Sequence, residues 1–204
     1  MSIVLIRGTG GSGKTYIAEQ VIKALGGLYT SMPFALGPVN KQGISKTGGY
    51  RWLSPPVTLM GRYETQCGGC DTIGGWAGGP DDVCAMIVAE AAQGRSVLWE
   101  GIAVSSYGQK RLVAMGPELT VIQLDTTLAD CVKSIYARRK SKGNDKPLDL
   151  YHTERKHKAL FTTSRSNQAA GIKVETHSRA TALPRVMELL GLGEGFIAGE
   201  RPAQ

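Results

Sequence analysis

The sequence predicts an α/β protein, a three-layer sandwich in which a five-stranded, mostly parallel sheet has helices on both faces. Short runs of consecutive apolar residues, typical of strands buried on both faces, alternate along the chain with longer segments of helical periodicity. The length of 204 residues suffices for one α/β domain with a full core and is short for two. We therefore expect a single domain over residues 1–204, ending in a loose tail from about residue 191.

Five apolar runs are predicted to be strands, and helical segments fill the intervals between them. The predicted strands are Ile3–Ile6, Val57–Met60, Val97–Trp99, Leu119–Leu124 and Ile172–Val174. The predicted helices cover about Thr15–Leu25, Asp82–Gln93, Leu128–Lys140, Leu150–Ala159 and Ala180–Leu190. The stretch Gly26–Pro56 is rich in Gly, Pro and Ser, so we expect loops and a short hairpin there.

The connection after the first strand carries the most specific motif of the sequence. GTGGSGKT, residues 8–15, matches the pattern G-x-x-x-x-G-K-[ST] between a buried strand and an amphipathic helix. Backbone N–H groups of such a loop surround phosphate oxygens at a helix N-terminus, which favours anions. Lys14 is expected at the β- and γ-phosphates and the Thr15 hydroxyl on Mg²⁺. The motif predicts a nucleoside triphosphate site, with ATP and Mg²⁺ as cofactors and with Gly8, Gly10, Gly11, Ser12, Gly13, Lys14 and Thr15 as binding residues.

A motif of this kind needs an acidic partner at the end of another strand. SVLWEG, residues 96–101, supplies Glu100 there, and VIQLD supplies Asp125 at the end of the next predicted strand. Either acid could instead cap the helix that follows it. We favour Glu100 for the water shell of the magnesium ion.

The charge distribution indicates a polyanionic partner. The net charge is +7, but residues 133–173, called the basic segment below, hold eleven Lys or Arg against three Asp or Glu. The basic segment therefore carries +8, and the rest of the chain carries −1. Such asymmetry is typical of a surface that meets phosphates, although a solvated helix face would have the same composition.

The stretch GRYETQCGGCDTIGGWAGG, residues 61–79, raises the question of metal or redox chemistry. Cys67 and Cys70 supply two zinc ligands, and no matching pair follows at a suitable distance, so we favour a glycine-rich acceptor loop. Asp71 is our candidate for the general base that accepts the proton of an acceptor hydroxyl, with a turn or cap role as the alternative. Candidate substrate-binding residues are Arg62, Tyr63 and Trp76, and Tyr50 and Trp52 are further aromatic candidates for stacking.

Taken with the phosphate motif, Ile3–Thr15, Ser96–Gly101 and Thr120–Arg139 resemble the P-loop kinases of the nucleoside and nucleotide kinase group. In thymidylate-kinase-like enzymes a strand ending in Leu-Asp precedes a helix that closes on the arginines of a mobile lid. The resemblance implies catalytic roles for Arg138 and Arg139, in a basic lid of about residues 138–170. GRY lacks the aspartate of the thymidylate kinase D-R-Y/H motif, and GRYETQCGGCDTI is instead similar to phage-encoded 5-hydroxymethyluracil DNA kinases.

The resemblance implies an acceptor hydroxyl on a base in DNA, either single-stranded or with the base extruded. Two alternatives stay open: a kinase for a free pyrimidine deoxynucleotide or nucleoside, held by Arg62 or Arg51, and a nucleotide-dependent DNA-binding protein without transfer chemistry. No apolar run approaches the roughly 18 residues of a membrane span, and no charged leader precedes a cleavable apolar stretch. We therefore expect no membrane partner and a cytoplasmic location, which the resemblance places in a phage-infected bacterium.

Overall fold

The structure, a computed structural model, describes residues 1–26, 29–33, 47–63, 69–70, 80–101, 109–144 and 147–193. Its strands are β1 (Ile3–Arg7), β2 (Thr30–Pro33), β3 (Thr47–Trp52), β4 (Val57–Met60), β5 (Ser96–Glu100), β6 (Leu119–Leu124) and β7 (Lys173–His177). Its helices are α1 (Lys14–Leu25), α2 (Pro80–Ala92), α3 (Gln109–Ala114), α4 (Leu128–Ser141), α5 (Leu150–Ala169) and α6 (Arg179–Leu189).

The described strands form one sheet in the order β2-β3-β4-β5-β1-β6-β7. All pairs among β4, β5, β1, β6 and β7 are parallel, and these five strands are the five apolar runs predicted from the sequence. The predicted strand count was wrong, because β2 and β3 add an antiparallel pair at one edge and bring the sheet to seven strands. The expected hairpin in Gly26–Pro56 supplies both of them, and neither TSMP nor TGGYRW contains the apolar run that identifies a central strand.

Two hydrophobic clusters, one on each face of the sheet, confirm the three-layer arrangement. Along β1, Ile3 and Leu5 belong to the cluster that α2 and α3 complete. Val4 and Ile6 belong to the cluster that α1 and α6 complete. This alternation follows from the two-residue repeat of a strand, and both faces are apolar because helices cover both. Cys84 and Cys131 are small core residues, 9% and 0% exposed.

The predicted helices are present, and α5 differs most from its prediction. Apolar periodicity ends near Ala159, but the helix continues to Ala169 and buries polar side chains at Ser164 and Asn167. A periodicity based on apolar residues cannot detect a buried face that is polar. The short helix α3 was not predicted, for it spans only six residues. Among the described residues, none of the helices combines the length and apolarity needed to cross a membrane.

The topology places the phosphate motif at a natural binding crevice. β1 lies between β5 and β6 in the sheet. The chain continues from β1 to strands on the β5 side and crosses from β5 to β6 on the other side, and ligands of open α/β sheets bind outside the carboxyl ends of strands at such a point. The predicted lid includes all of α5, which packs against β7 and α4; the extent of the lid stays a prediction. Leu192, within the predicted tail, is buried, and residues 194–204 lie outside the described part of the chain.

Candidate active site

The phosphate loop lies between β1 and α1, with an N-terminal helix end left open to anions. The side chains of Thr127, Asp149 and Ser178 cap the N-termini of α4, α5 and α6, whereas the cap of α1 is Gly13, which has no side chain to occupy the N–H groups. The Lys14 side chain is 8% exposed and folds over the loop, where Nζ donates to the carbonyl oxygens of Gly8 at 3.0 Å and Thr9 at 3.3 Å. The loop therefore presents N–H groups and an ammonium to the same space.

Thr15 and Glu100, the two residues predicted to hold magnesium, are in direct contact. The Thr15 hydroxyl donates to Glu100 Oε1 at 2.7 Å, and Glu100 is 2% exposed. Asp125, the competing acid, is exposed and lies beside a neighbouring cavity instead. The geometry places Glu100 beside the phosphate loop, and its magnesium role stays a prediction.

Gly69 connects the glycine-rich stretch to Glu100. A Cβ atom on Gly69 would lie 2.6 Å from Glu100 Oε1 and 2.8 Å from its Cδ, and the residue has a φ of +87°. Only glycine satisfies both the close approach and the left-handed backbone. The Gly69 N–H donates to the Arg62 carbonyl at 2.8 Å, so the backbone of the stretch is paired at this point. Gly69 thus brings the backbone of the stretch against the buried carboxylate.

Two adjoining cavities open at this edge of the sheet. The larger, about 610 Å³, is lined by the phosphate loop, Glu100 and Arg138, and the smaller, about 480 Å³, is lined by Asp125 and the start of α4. Both volumes lie in the range of small-molecule and cofactor pockets, about 300–1,000 Å³. Arg138 faces the larger cavity as predicted for a lid arginine, whereas Arg139 Nη1 donates to the Pro147 carbonyl at 3.0 Å. The catalytic roles of both arginines stay predictions.

Several cavity residues were missed by sequence reasoning. Ser134 and Arg179 line both cavities, and Tyr16 lines the larger one. Arg179 is the first residue of α6, directly after the last strand of the sheet. Its position just after a strand end could have indicated a place near the site, because the carboxyl ends of parallel strands meet at one edge of the sheet.

The predicted acceptor residues are only partly within the described chain. Arg62 and Tyr63 are half-buried beside β4, and Tyr63 Oη donates to the Met60 carbonyl at 3.4 Å. Asp71 and Trp76, like Cys67, lie outside the described residues. Cys70 is buried, 2% exposed.

Three other acceptor candidates are structural. Tyr50 and Trp52 are 6% and 2% exposed and belong to the core, so the prediction that they stack on a base was wrong. Tyr and Trp occur both in core strands and on surfaces that stack on bases, so residue type alone did not distinguish the two roles. Arg51 is bound to the buried Glu90 by its Nε, at 2.9 Å, and by Nη2. It therefore braces the sheet rather than holding a phosphate.

The first turns of α5 touch the phosphate loop. His157 Nδ1 and Thr9 Oγ1 share a hydrogen bond of 3.0 Å, and Thr9 is 2% exposed. On the same helix, Arg155, Lys156 and Lys158 are exposed. One helix of the basic segment thus presents cations to solvent while it contacts the nucleotide loop.

Arg7, the last residue of β1, is an interior cation. It is 4% exposed, and its Nε and Nη1 find no hydrogen-bond acceptor among the described residues. Burial lowers the pKa of Arg7 to about 10, because the charged form loses its hydration.

Comparison with known proteins identifies relatives of the chain. No protein-family model matches the sequence. The sequence is 37% identical over 193 residues to a protein named 5-hmdU DNA kinase from Pseudomonas phage PaMx11, a match that covers 92% of this chain and 96% of that protein. Among solved structures, a gluconokinase from Sinorhizobium meliloti 1021 superposes with a TM-score of 0.43 at 17% identity, over 97% of this chain and 91% of the other.

The central parallel strand, the loop that follows it and the carboxylate beside that loop define a P-loop phosphotransferase. The chain belongs to the 5-hmdU DNA kinase family, since it shares 37% identity with a member over nearly the full length of both. The resemblance noted from GRYETQCGGCDTI is confirmed.

Proposed function

We propose that this protein transfers the γ-phosphate of ATP to the 5-hydroxymethyl group of hydroxymethyluracil in DNA. The main support for this acceptor is the similarity, over nearly the full length of both chains, to the phage protein named 5-hmdU DNA kinase. The phosphate donor is supported by the loop, in which the Lys14 ammonium and the open N-terminus of α1 face the larger cavity. A kinase encoded by such a phage acts in the cytoplasm of the infected bacterium.

The donor atoms near the loop suit magnesium. Mg²⁺ prefers oxygen ligands, and the Thr15 hydroxyl and the Glu100 carboxylate supply two of them in contact at the edge of the larger cavity. In this proposal Thr15 ligates the ion and Glu100 holds its water shell. A magnesium ion held there by Thr15 and Glu100 would supply positive charge to offset the negative charge that develops on the phosphates.

The transfer itself needs a base, an in-line acceptor and charge stabilisation. The hydroxymethyl oxygen forms a bond to the γ-phosphorus as the bond to the bridging oxygen breaks, so that ADP leaves and the hydroxyl proton passes to a carboxylate. Asp71 is the proposed base, because Gly69, two residues before it, lies against Glu100. Lys14 and Arg138 stabilise charge on the transferring group, with Arg139 as a further lid arginine.

The proposed acceptor site combines a basic surface with a base pocket. Exposed cations of the basic segment contact DNA phosphates, and the target base leaves the stack to reach the cavity edge. Arg62, Tyr63 and Trp76 are proposed to contact that base. The protein acts as a single domain whose lid lies within residues 138–170.

A labelling experiment tests the acceptor. Wild-type protein receives γ-labelled ATP together with single-stranded oligonucleotides that contain either hydroxymethyluracil or thymine, or with free hydroxymethyl-dUMP or dTMP. We expect label only on the hydroxymethyluracil oligonucleotide. Efficient labelling of free nucleotides, with DNA as a poor competitor, would establish a nucleotide kinase, and phosphate release stimulated by DNA without labelled product would establish a DNA-dependent nucleoside triphosphatase.

A matched pair of charge variants tests the surface. Lys156→Gln/Lys158→Gln removes two exposed charges from α5, and Lys23→Gln/Lys110→Gln removes two exposed charges from α1 and α3. Each phosphate contact contributes about 0.7–0.9 to the slope of log K against log salt. We expect the α5 variant to flatten that slope by about 1–2 for an oligonucleotide, with the control unchanged and ATP affinity equal in both. Equal slopes for the two variants would remove α5 from the DNA surface.

A further inference from the structure

Arg179 joins the phosphate loop to two other elements of the fold. Its Nε donates to the Ser12 carbonyl at 2.7 Å, and its Nη2 donates to the Gly11 carbonyl at 2.7 Å. Nη2 also lies 3.4 Å from the Ser134 hydroxyl of α4. A single side chain, carried by α6, therefore bonds both the phosphate loop and α4.

These bonds fix the orientation of a peptide plane within the loop. The Ser12 carbonyl accepts from Arg179 and also from the Thr126 hydroxyl, at 3.2 Å, so both of its lone pairs are engaged. In a planar trans peptide the carbonyl and the following N–H point in opposite directions. Holding the Ser12 carbonyl against Arg179 consequently turns the Gly13 N–H away from it, towards the inside of the loop.

The local sequence is consistent with this contact. Gly13 has a φ of +102°, and a Cβ atom on it would lie 2.7 Å from Arg179 Nε. The glycine is thus needed both for the turn and for the guanidinium to lie beside it. Arg179 also lines both cavities, so its positive charge lies beside the proposed position of the triphosphate.

We propose that Arg179 is a positioning residue, which holds the carbonyls of Gly11 and Ser12 outward and so keeps the phosphate loop in its anion-binding conformation. This inference rests on the proposed ATP binding but not on the identity of the acceptor. A guanidinium suits this role because its planar fork bonds two neighbouring carbonyls at once. A lysine ammonium would bond one of them well and leave the second peptide freer to rotate.

The test compares two arginines of the same helix. Arg179→Gln removes the fork from the loop, and Arg185→Gln removes an arginine that bonds Glu175 and Glu188 away from the loop. ATP dissociation constants are measured by direct titration, with Tm for each variant and KM and kcat on the labelled oligonucleotide. We expect Arg179→Gln to weaken ATP binding about 10-fold or more and Arg179→Lys about 3-fold, whereas Arg185→Gln lowers Tm and keeps ATP affinity within 2-fold.

Each outcome decides the proposal. An ATP dissociation constant unchanged in Arg179→Gln would overturn it, and so would an equal loss in Arg179→Gln and Arg185→Gln, because that pattern indicates general destabilisation of α6. If Arg179→Gln does not fold, the folded Arg179→Lys decides by the same measurement. Wild-type protein that binds ATP but labels no DNA would refute the acceptor and leave Arg179 in place, whereas wild-type protein that does not bind ATP would refute the proposed donor first.

Discussion

The Thr15 hydroxyl and the Glu100 carboxylate are separated by 85 positions in the sequence and by 2.7 Å in the structure. Thr15 opens the helix after the central strand, and Glu100 ends the neighbouring strand, so the parallel pairing of β1 with β5 brings them together. The contact gives the proposed magnesium site a specific and testable pair of oxygens.

Glu100→Gln keeps the shape of this side chain and removes its charge. Loss of one electrostatic stabiliser typically costs about 10²–10³ in kcat, so we expect a fall on that scale with a smaller change in ATP affinity. Activity should also require a higher Mg²⁺ concentration, which a magnesium titration measures. The control is Glu19→Gln, since Glu19 also lines the larger cavity, and we expect less than about a 3-fold effect from it. Similar losses in the two variants would contradict a specific role for Glu100.

Gly69→Ala should reduce activity by displacing Glu100. The new Cβ would lie 2.6 Å from Glu100 Oε1, at a residue with a φ of +87°. Gly94→Ala is the matched control, because Gly94 has a φ of +80° and nothing within 4 Å of the added atom. Both variants should lose about 1 kcal/mol of stability or more from backbone strain. Only Gly69→Ala should lower kcat beyond 10-fold, and equal kcat values would mean that the loop accommodates the methyl group without moving the carboxylate.

Arg7→Met should stabilise the protein at pH 7. The guanidinium is charged in both the folded and the unfolded state there, so the folded state bears the full cost of burying it; the lowering of the pKa of Arg7 to about 10 corresponds to at most roughly 3 kcal/mol. Wild-type stability should rise with pH above about 10, where the folded chain has released a proton from Arg7 that the unfolded chain still binds. Urea denaturation measures both effects.

Arg95→Met provides the contrast to Arg7→Met. Arg95 is also largely buried, but its side chain donates to Thr58 Oγ1 at 2.9 Å and to the carbonyls of Trp52 and Val57. We expect this substitution to destabilise the protein by about 3–5 kcal/mol, because the buried oxygen atoms that accept hydrogen bonds from Arg95 would lose their donor. Destabilisation by Arg7→Met as well would show that the Arg7 guanidinium is bound to an acceptor in the folded protein.

Glu175 should contribute to the acid sensitivity of the fold. A hydrogen bond from Arg185, aided by Lys173 and His177, lowers the pKa of Glu175 from 4.5 to about 2. A lowered carboxyl pKa adds stability that is complete above pH 4.5 and is lost as the pH falls towards 2. Since solvent screens this partly exposed group, we expect Glu175→Gln to cost about 1 kcal/mol at pH 7 and to flatten the profile between those values.

The control for Glu175 is its neighbour in the same network. Glu188 contacts the same arginine at 2.7 Å, but its side chain is 69% exposed. Glu188→Gln should therefore cost less than about 0.5 kcal/mol and keep the acid dependence of the wild type. Thermal denaturation at several pH values distinguishes the two variants. If the stability of Glu175→Gln changed with pH as steeply as that of the wild type, the prediction would be contradicted.

The strands β1, β4, β5 and β6 were predictable because burial on both faces makes them mostly apolar. Val57–Met60 and Leu119–Leu124 are read directly from such runs. The edge strands β2 and β3 were expected only as a short hairpin without bounds, since their residues have no such run. The second half of α5 was not predicted, since its buried face includes Ser164 and Asn167. Pattern methods detect apolar burial and overlook elements that are buried through polar contacts.

The phosphate loop could be located from sequence because its chemistry depends on residues that are adjacent in the chain. Glu100 could be proposed because a strand end is a local signal. Arg179 also follows a strand end and carried that signal, although it was missed. His157 carried no such signal, since it contacts the loop only through the packing of a helix 148 positions away. Asp71 stays a prediction from residue type and position.

The backbone pairing of Arg62 with Gly69 has a practical consequence for engineering. A backbone hydrogen bond already joins the two ends of the intervening segment. The ends therefore stay together whatever the length of the residues between them. Exchanging residues 64–68 for those of another family member, or for a longer insert, should leave the carboxylate behind Gly69 undisturbed, because doubling a loop costs only about 0.6 kcal/mol. Such an exchange tests whether residues 64–68 add to the acceptor preference proposed for Arg62, Tyr63, Asp71 and Trp76, with the phosphate-donating half of the enzyme left as it is.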